Sequence, residues 1–108
     1  MATIKRFEDL EIWQEARKLA KEIHQISLTT PLKTDFRLQQ QIKASSGSIM
    51  DNIAEGFGRK SKREFRRFLN IALGSANETE YFLLLAKDLG YIETEKYQVL
   101  NTIINEVK

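Results

Sequence analysis

The sequence predicts an all-α fold, a single domain of 108 residues built as an antiparallel four-helix bundle. Strong helix formers dominate, glycine is scarce, and Pro31 is the one proline. Apolar residues recur at helical spacing in four segments. The connections between those segments are short, and short loops between amphipathic helices make antiparallel neighbours.

The first helix is expected over about residues 9–28. At 100° per residue, Ile12, Trp13, Ala16, Leu19, Ala20, Ile23 and Ile26 share an arc of about 140°. Thr29, Thr30 and Pro31 end it, because proline biases its predecessor away from the helical region. The second helix starts near Thr34 or Asp35, either of which can cap it. Leu38, Ile42, Ser45, Ile49 and Ile53 form its narrow, partly polar stripe, and the small residues from Ala44 to Ser48 let a neighbour come close. Gly56 and Gly58 are expected to supply its stop.

The third helix opens with a capping box, Ser61-Lys62-Arg63-Glu64, in which the serine accepts from the N3 amide and the glutamate reaches back. Phe65, Phe68, Leu69, Ala72, Ala76, Leu83 and Ala86 form its inner stripe, and Leu89-Gly90 stops it. The fourth starts near Thr94, with Tyr97, Leu100, Ile103, Ile104 and Val107 inward. No stop signal precedes Lys108.

Composition excludes several chemistries. With no cysteine, disulfides and thiolate metal sites are out, and a reducing compartment fits. Residues 1–9 contain no apolar stretch of the signal-peptide kind, and no apolar run approaches the roughly 20 residues that span a bilayer. A cytoplasmic protein without membrane partners is expected. His24 is the one histidine and no Glu-x-x-His pair exists, so neither a di-metal carboxylate site nor a nucleophilic triad is expected. There is no phosphate-binding glycine loop, and Gly56-Phe57-Gly58 reads as a helix end. No cofactor, metal or catalytic residue is predicted.

Charge is uneven. Residues 1–54 carry 8 basic and 7 acidic side chains, residues 55–67 carry 6 and 2, and residues 68–108 carry 3 and 6. The basic cluster is Arg59, Lys60, Lys62, Arg63, Arg66 and Arg67. Its four members on the third helix span about 140° opposite the apolar stripe. Such a run is either a solvated face or a phosphate-binding surface. Phe65 and Phe68 point inward, so any binding is expected to follow the nucleic-acid backbone, RNA or DNA, with little sequence preference.

Residues 41–59 read Gln-Ile-Lys-Ala-Ser-Ser-Gly-Ser-Ile-Met-Asp-Asn-Ile-Ala-Glu-Gly-Phe-Gly-Arg. Polar residues flank or enter an apolar stripe here, which bundle packing alone does not ask for. The stretch resembles the signature of the 23S rRNA intervening-sequence (S23-type) family. Phe7-Glu8-Asp9-Leu10-Glu11-Ile12-Trp13 is similar to that family's opening. Leu73-Gly74-Ser75-Ala76-Asn77-Glu78 is similar to its third-helix motif, and Leu89-Gly90-Tyr91-Ile92 to its last turn. The resemblance implies an up-down four-helix bundle and a homopentamer. It also implies relatives that bind nucleic acid as accessories of reverse-transcriptase retroelements, making a reverse transcriptase or another RNA-related protein a candidate partner. It implies no established molecular function. Thr79 departs from the family pattern, standing where an apolar residue is usual.

Two further sets complete the expectations. Gln41, Asn52, Glu55, Arg59, Ser75 and Glu78 are read as a buried polar network tying the second helix to the third, with a ligand or RNA pocket as the competing reading. Tyr81, Leu84 and Leu85 lie away from the core on an all-apolar stretch, which makes them candidate oligomer contacts.

Overall fold

A computed structural model describes residues 4–108, which form four α-helices and two short 3-10 turns. The helices are α1 (Glu11–Thr29), α2 (Phe36–Gly58), α3 (Lys62–Asp88) and α4 (Thr94–Val107), and the turns are Phe7–Asp9 and Pro31–Thr34. Each helix packs on the next and α1 closes onto α4, giving an up-down ring 45 × 24 × 19 Å across. The axis of the bundle is filled by branched aliphatics: Leu19 and Ile23 from α1, Ile42, Ile49 and Ile53 from α2, Leu83 from α3, and Leu100 and Ile104 from α4.

Helix ends follow local chemistry. Asp35 caps α2 by accepting from the Leu38 amide at 3.1 Å, and its other oxygen accepts from the Tyr91 hydroxyl at 2.9 Å. The α3–α4 turn is thereby tied to the start of α2. The hydrogen bond to Asp35 raises the Tyr91 phenol above its ordinary value, and desolvation and the nearby carboxylate charge add to it. At the end of α3, Gly90 takes φ +77°. The Tyr91 amide then reaches the Ala86 carbonyl and the Gly90 amide reaches Lys87, both at 2.9 Å, a Schellman stop.

Three local expectations need correction. The first helix begins at Glu11, because Phe7–Asp9 forms a separate 3-10 turn and Leu10 is extended. Ser61 accepts from the Glu64 amide at 3.3 Å, but the Glu64 carboxylate turns to Arg67 instead of back to the cap. Gly56 does not stop α2. It lies inside the helix, buried against Phe68, and the left-handed residue at the α2–α3 junction is Lys60 at φ 57°.

The helices differ in length among the described residues. α3 has 27 residues and α4 has 14, so α4 falls roughly 20 Å short at 1.5 Å per residue. The end of α4, at Val107 and Lys108, reaches the level of Leu69 and Leu73. Beyond it the first turns of α3 project at the end of the bundle where residues 4–8 border the last turn of α2.

Candidate nucleic-acid interface

The α2–α3 turn is only Arg59, Lys60 and Ser61, so the basic run straddles a tight corner. All six basic residues are exposed. Two are held by acids: Arg59 donates to Glu55 at 2.8 Å and Arg67 donates to Glu64 through two nitrogens at 3.1 and 3.2 Å. The hydrogen bond from Arg67 holds the Glu64 carboxyl below the usual range, and Glu64 raises the guanidinium in return. Both arginines also lie over the Phe68 ring, at 5.3 and 4.5 Å from its centroid, which fixes them against the helix. Among the described residues, Lys60, Lys62, Arg63 and Arg66 make no ion pair.

A second basic element is brought alongside by the fold. Ile4, Lys5, Arg6, Phe7 and Glu8 form one wall of a cleft of about 620 Å³, and Ala54, Phe57, Gly58 and Lys60 form the other. Arg6 is held by Glu8 at 2.6 Å. Their mutual hydrogen bond raises the guanidinium and lowers the carboxyl. Phe57 is braced edge-to-face by Phe65 at 5.9 Å, and Phe7 by Trp13 at 5.0 Å. Sequence reasoning missed Lys5, Phe7 and Phe57 here. Some fifty residues separate the two walls, and no periodicity signals that they meet.

The expected polar network is only partly assembled. Gln41, Glu55, Arg59 and Glu78 are exposed, so they are not members of a buried network. Their long side chains reach water. Glu55 and Arg59 pair one turn apart on the surface. The interhelical bonds are made by short side chains. Thr79, fully buried, donates to Ser45 Oγ at 2.8 Å and sits 2.8 Å from the Ser75 carbonyl. Ser48 and Ser75 join hydroxyls at 2.9 Å, and Asn52 donates to the Ser48 carbonyl and hydroxyl at 2.8 and 3.0 Å. Thr79 is the residue that departs from the family pattern, and its polar atom is satisfied within this ladder. Hydroxyls donating to carbonyls and to one another hold a register; nothing in the ladder pairs an acid with a base for catalysis.

Further along the outer face of α3, Tyr81, Leu84 and Leu85 are 55%, 41% and 43% exposed, Leu89 is exposed one turn on, and Ile71 and Leu73 are exposed two or more turns earlier. α4 does not cover them. Among the described residues, no cluster of three or more His, Cys, Asp or Glu could hold a metal, and no helix is long and apolar enough to cross a membrane. His24 lies exposed on α1.

Residues 8–108 match the family model described as 23S rRNA-intervening sequence protein. The chain belongs to this family. A similar solved structure is a protein of unknown function from the S23 ribosomal protein family of Bacteroides thetaiotaomicron VPI-5482. It shares 32% identity with a TM-score of 0.79, over 89% of this chain and 90% of that one. No curated protein matches the chain. Neither description attaches an enzymatic activity to the 23S rRNA-intervening sequence fold.

Proposed function

We propose that this protein is a non-enzymatic, self-associating four-helix bundle that binds nucleic acid through the basic N-terminal half of α3. The observation that carries the reading is the group Lys60, Lys62, Arg63 and Arg66, exposed at one corner with no acidic partner among the described residues. Arg59 and Arg67 extend the surface, with their charge shared with Glu55 and Glu64. Neutralised phosphates release counterions, at about −0.9 in log K against log salt for each contact on duplex DNA. Four productive cations therefore give a slope of about −3 to −4 per subunit. Binding of RNA or DNA measured at several salt concentrations tests this. Changing Lys62, Arg63 and Arg66 to Gln should flatten the slope and leave the thermal melt in place. A triple variant that binds like the parent would reduce the run to a solvated face.

Self-association is supported by the apolar half of the same helix. Tyr81, Leu84, Leu85 and Leu89 are four large apolar side chains within nine residues of one helix, each at least 41% exposed, and exposed apolar surface of this kind often marks an interface. A repeated heterologous contact closes a ring, and the homopentamer implied by family resemblance is such a ring. Light scattering should give a multiple of 12.6 kDa, and Leu84→Glu with Leu85→Glu should return a helical monomer. A parent mass of one chain at micromolar concentration would end this part of the reading. A protein-interaction bundle without nucleic acid is the second reading, favoured by that same apolar face. It predicts assembly with no salt-dependent binding, and an RNA-related protein such as a reverse transcriptase is then the partner to test.

A further inference from the structure

We propose that the cleft between residues 4–8 and the last turn of α2 receives an unpaired base, so that the protein takes single-stranded nucleic acid in preference to duplex. The inference rests on the reading of the basic surface and adds to it the class of strand that is bound. The basic run alone calls for phosphate contacts and gives no reason to prefer one strand form.

The cleft supplies that reason. Its volume of about 620 Å³ lies within the roughly 300–1,000 Å³ of small-molecule sites. Its walls are mainly apolar, from Ile4, Phe7, Ala54 and Phe57. Two of the four are aromatic, and each is held by a second ring, so the walls are braced before anything enters. Bases stack on such rings with little regard to sequence, since every base has a π-face. Lys5 and Lys60 stand on opposite walls and make no ion pair among the described residues. Lys62, Arg63 and Arg66 continue from Lys60 around the corner onto α3. A strand tracking those cations passes the mouth of the cleft with its phosphates paired and a base free to turn inward. A duplex follows the cations but keeps its bases stacked, so it cannot fill the cleft without paying to extrude one.

The acids nearby do not close the site to an anion. Glu8 gives one oxygen to Arg6 and Glu55 pairs with Arg59, each within 2.8 Å; the other Glu8 oxygen is buried without a partner, and a base presents N–H donors to it while Lys5 and Lys60 meet the phosphates. Lys60 holds a left-handed backbone at φ 57°, a conformation that glycine adopts at less cost. A lysine there keeps a cation on the rim at the expense of local strain.

The test compares a labelled oligothymidylate, whose bases are little stacked, with a hairpin duplex of equal phosphate number. Fluorescence anisotropy should show the parent binding the single strand more tightly. Phe57→Leu keeps an apolar wall and removes the ring. It should weaken the single strand by about five- to 150-fold, the range of one lost stacking contact, and leave the duplex affinity and both salt slopes unchanged. Ala54→Leu fills the cleft without hollowing its wall and should give the same selective loss, which covers the case of a poorly folded Phe57 variant. Trp13, the one tryptophan, touches Phe7 behind the wall, so its emission should respond to oligothymidylate in the parent and not in Ala54→Leu.

Equal or tighter duplex binding by the parent overturns the inference and leaves the basic surface standing. Variants that lose both strand forms alike, or neither, also overturn it. A parent that binds no nucleic acid removes both readings. Trp13 emission that answers to dodecanoate but not to oligothymidylate would assign the cleft to an amphiphile.

Discussion

Replacing Gly56 with alanine should destabilise this bundle, although alanine is the better helix former. A Cβ at position 56 would lie 2.5 Å from Phe68 Cβ, and 3.2 Å from both Phe68 Cγ and Phe65 Cδ1. Ordinary carbon contacts are about 3.5–4.0 Å, so the first of these is untenable. Phe68 Cβ is fixed to the α3 backbone and no rotamer moves it away; α2 and α3 must part. Overpacking of this kind costs about 1–3 kcal/mol, and so close a contact belongs near the upper end. Helix propensity returns about 1 kcal/mol. The net loss is about 2 kcal/mol, or a Tm lower by roughly 8 °C for a domain of this size. Gly47 is the control, because it too is inside α2 and a Cβ there meets nothing within 4 Å. Gly47→Ala should gain about 1 kcal/mol and raise Tm by roughly 4 °C. Melts by far-ultraviolet circular dichroism are compared at one protein concentration, since assembly makes Tm concentration-dependent. If Gly56→Ala melts as high as the parent, the tight α2–α3 approach is not what requires glycine at 56.

Thr79→Val keeps the shape and removes the donor to Ser45, and should cost about 1–2 kcal/mol in a denaturant melt. In a Ser45→Ala background the loss should shrink by about 0.5–1 kcal/mol, and an additive cycle would deny the bond its role. Asn52→Ala removes two bonds to Ser48 and should cost about 1 kcal/mol, whereas Glu55→Ala breaks only an exposed pair and should cost less than about 0.5 kcal/mol; the reverse order would contradict the ladder. Glu15 on α1 and Glu106 on α4 line one groove, and Glu15 Oε2 is buried without a partner; the hydrogen bond that a protonated carboxyl can donate to Glu106, with desolvation, holds the Glu15 carboxyl above its ordinary value. A raised carboxyl stabilises the fold while it stays protonated, and that contribution is lost as pH rises through the raised value. Glu15→Gln should therefore melt higher than the parent at neutral pH and converge with it below pH 4.5; parallel pH profiles would refute the carboxyl pair.

The helices were legible because four apolar stripes of period 3.6 have one economical arrangement, and the buried aliphatics of α1, α2 and α4 are those the stripes name. The polar seam was legible only in part. Periodicity places Gln41, Asn52 and Glu78 near one margin but does not say which side chain is short enough to bond across it. The better signal was a polar residue on each inner stripe, Ser45 on α2 and Thr79 on α3, since two buried hydroxyls facing each other have little choice but to pair. Gly56 was misread for a related reason. Glycine near a helix end suggests a stop, and only the position of Phe68 on the neighbouring helix reveals it as a point of close approach. The cleft was not legible at all, because the contact of residues 4–8 with α2 is set by the entry angle of the chain into α1.

The α2–α3 corner gathers several choices that a bundle selected only for stability would avoid. Lys60 occupies a left-handed position that favours glycine. Lys62 and Arg63 sit in the first turn of α3, at the positive end of the helix dipole, where cations are unfavourable by about 0.3–1 kcal/mol each. Glu64 is the one acid in that turn, and its carboxylate goes to Arg67 instead of completing the cap. The cost falls on the first turn of the longest helix. Acidic or neutral side chains would suit every one of these positions better in an isolated bundle, as Glu11 does in the first turn of α1. A polyanion reverses each sign. Phosphates oppose the dipole, offset the crowding of like charges and give the strained lysine a partner. Local violations of this kind are expected where function overrides stability, and that places the weight of the functional reading on this corner more than on the serine ladder, where each hydroxyl is already satisfied.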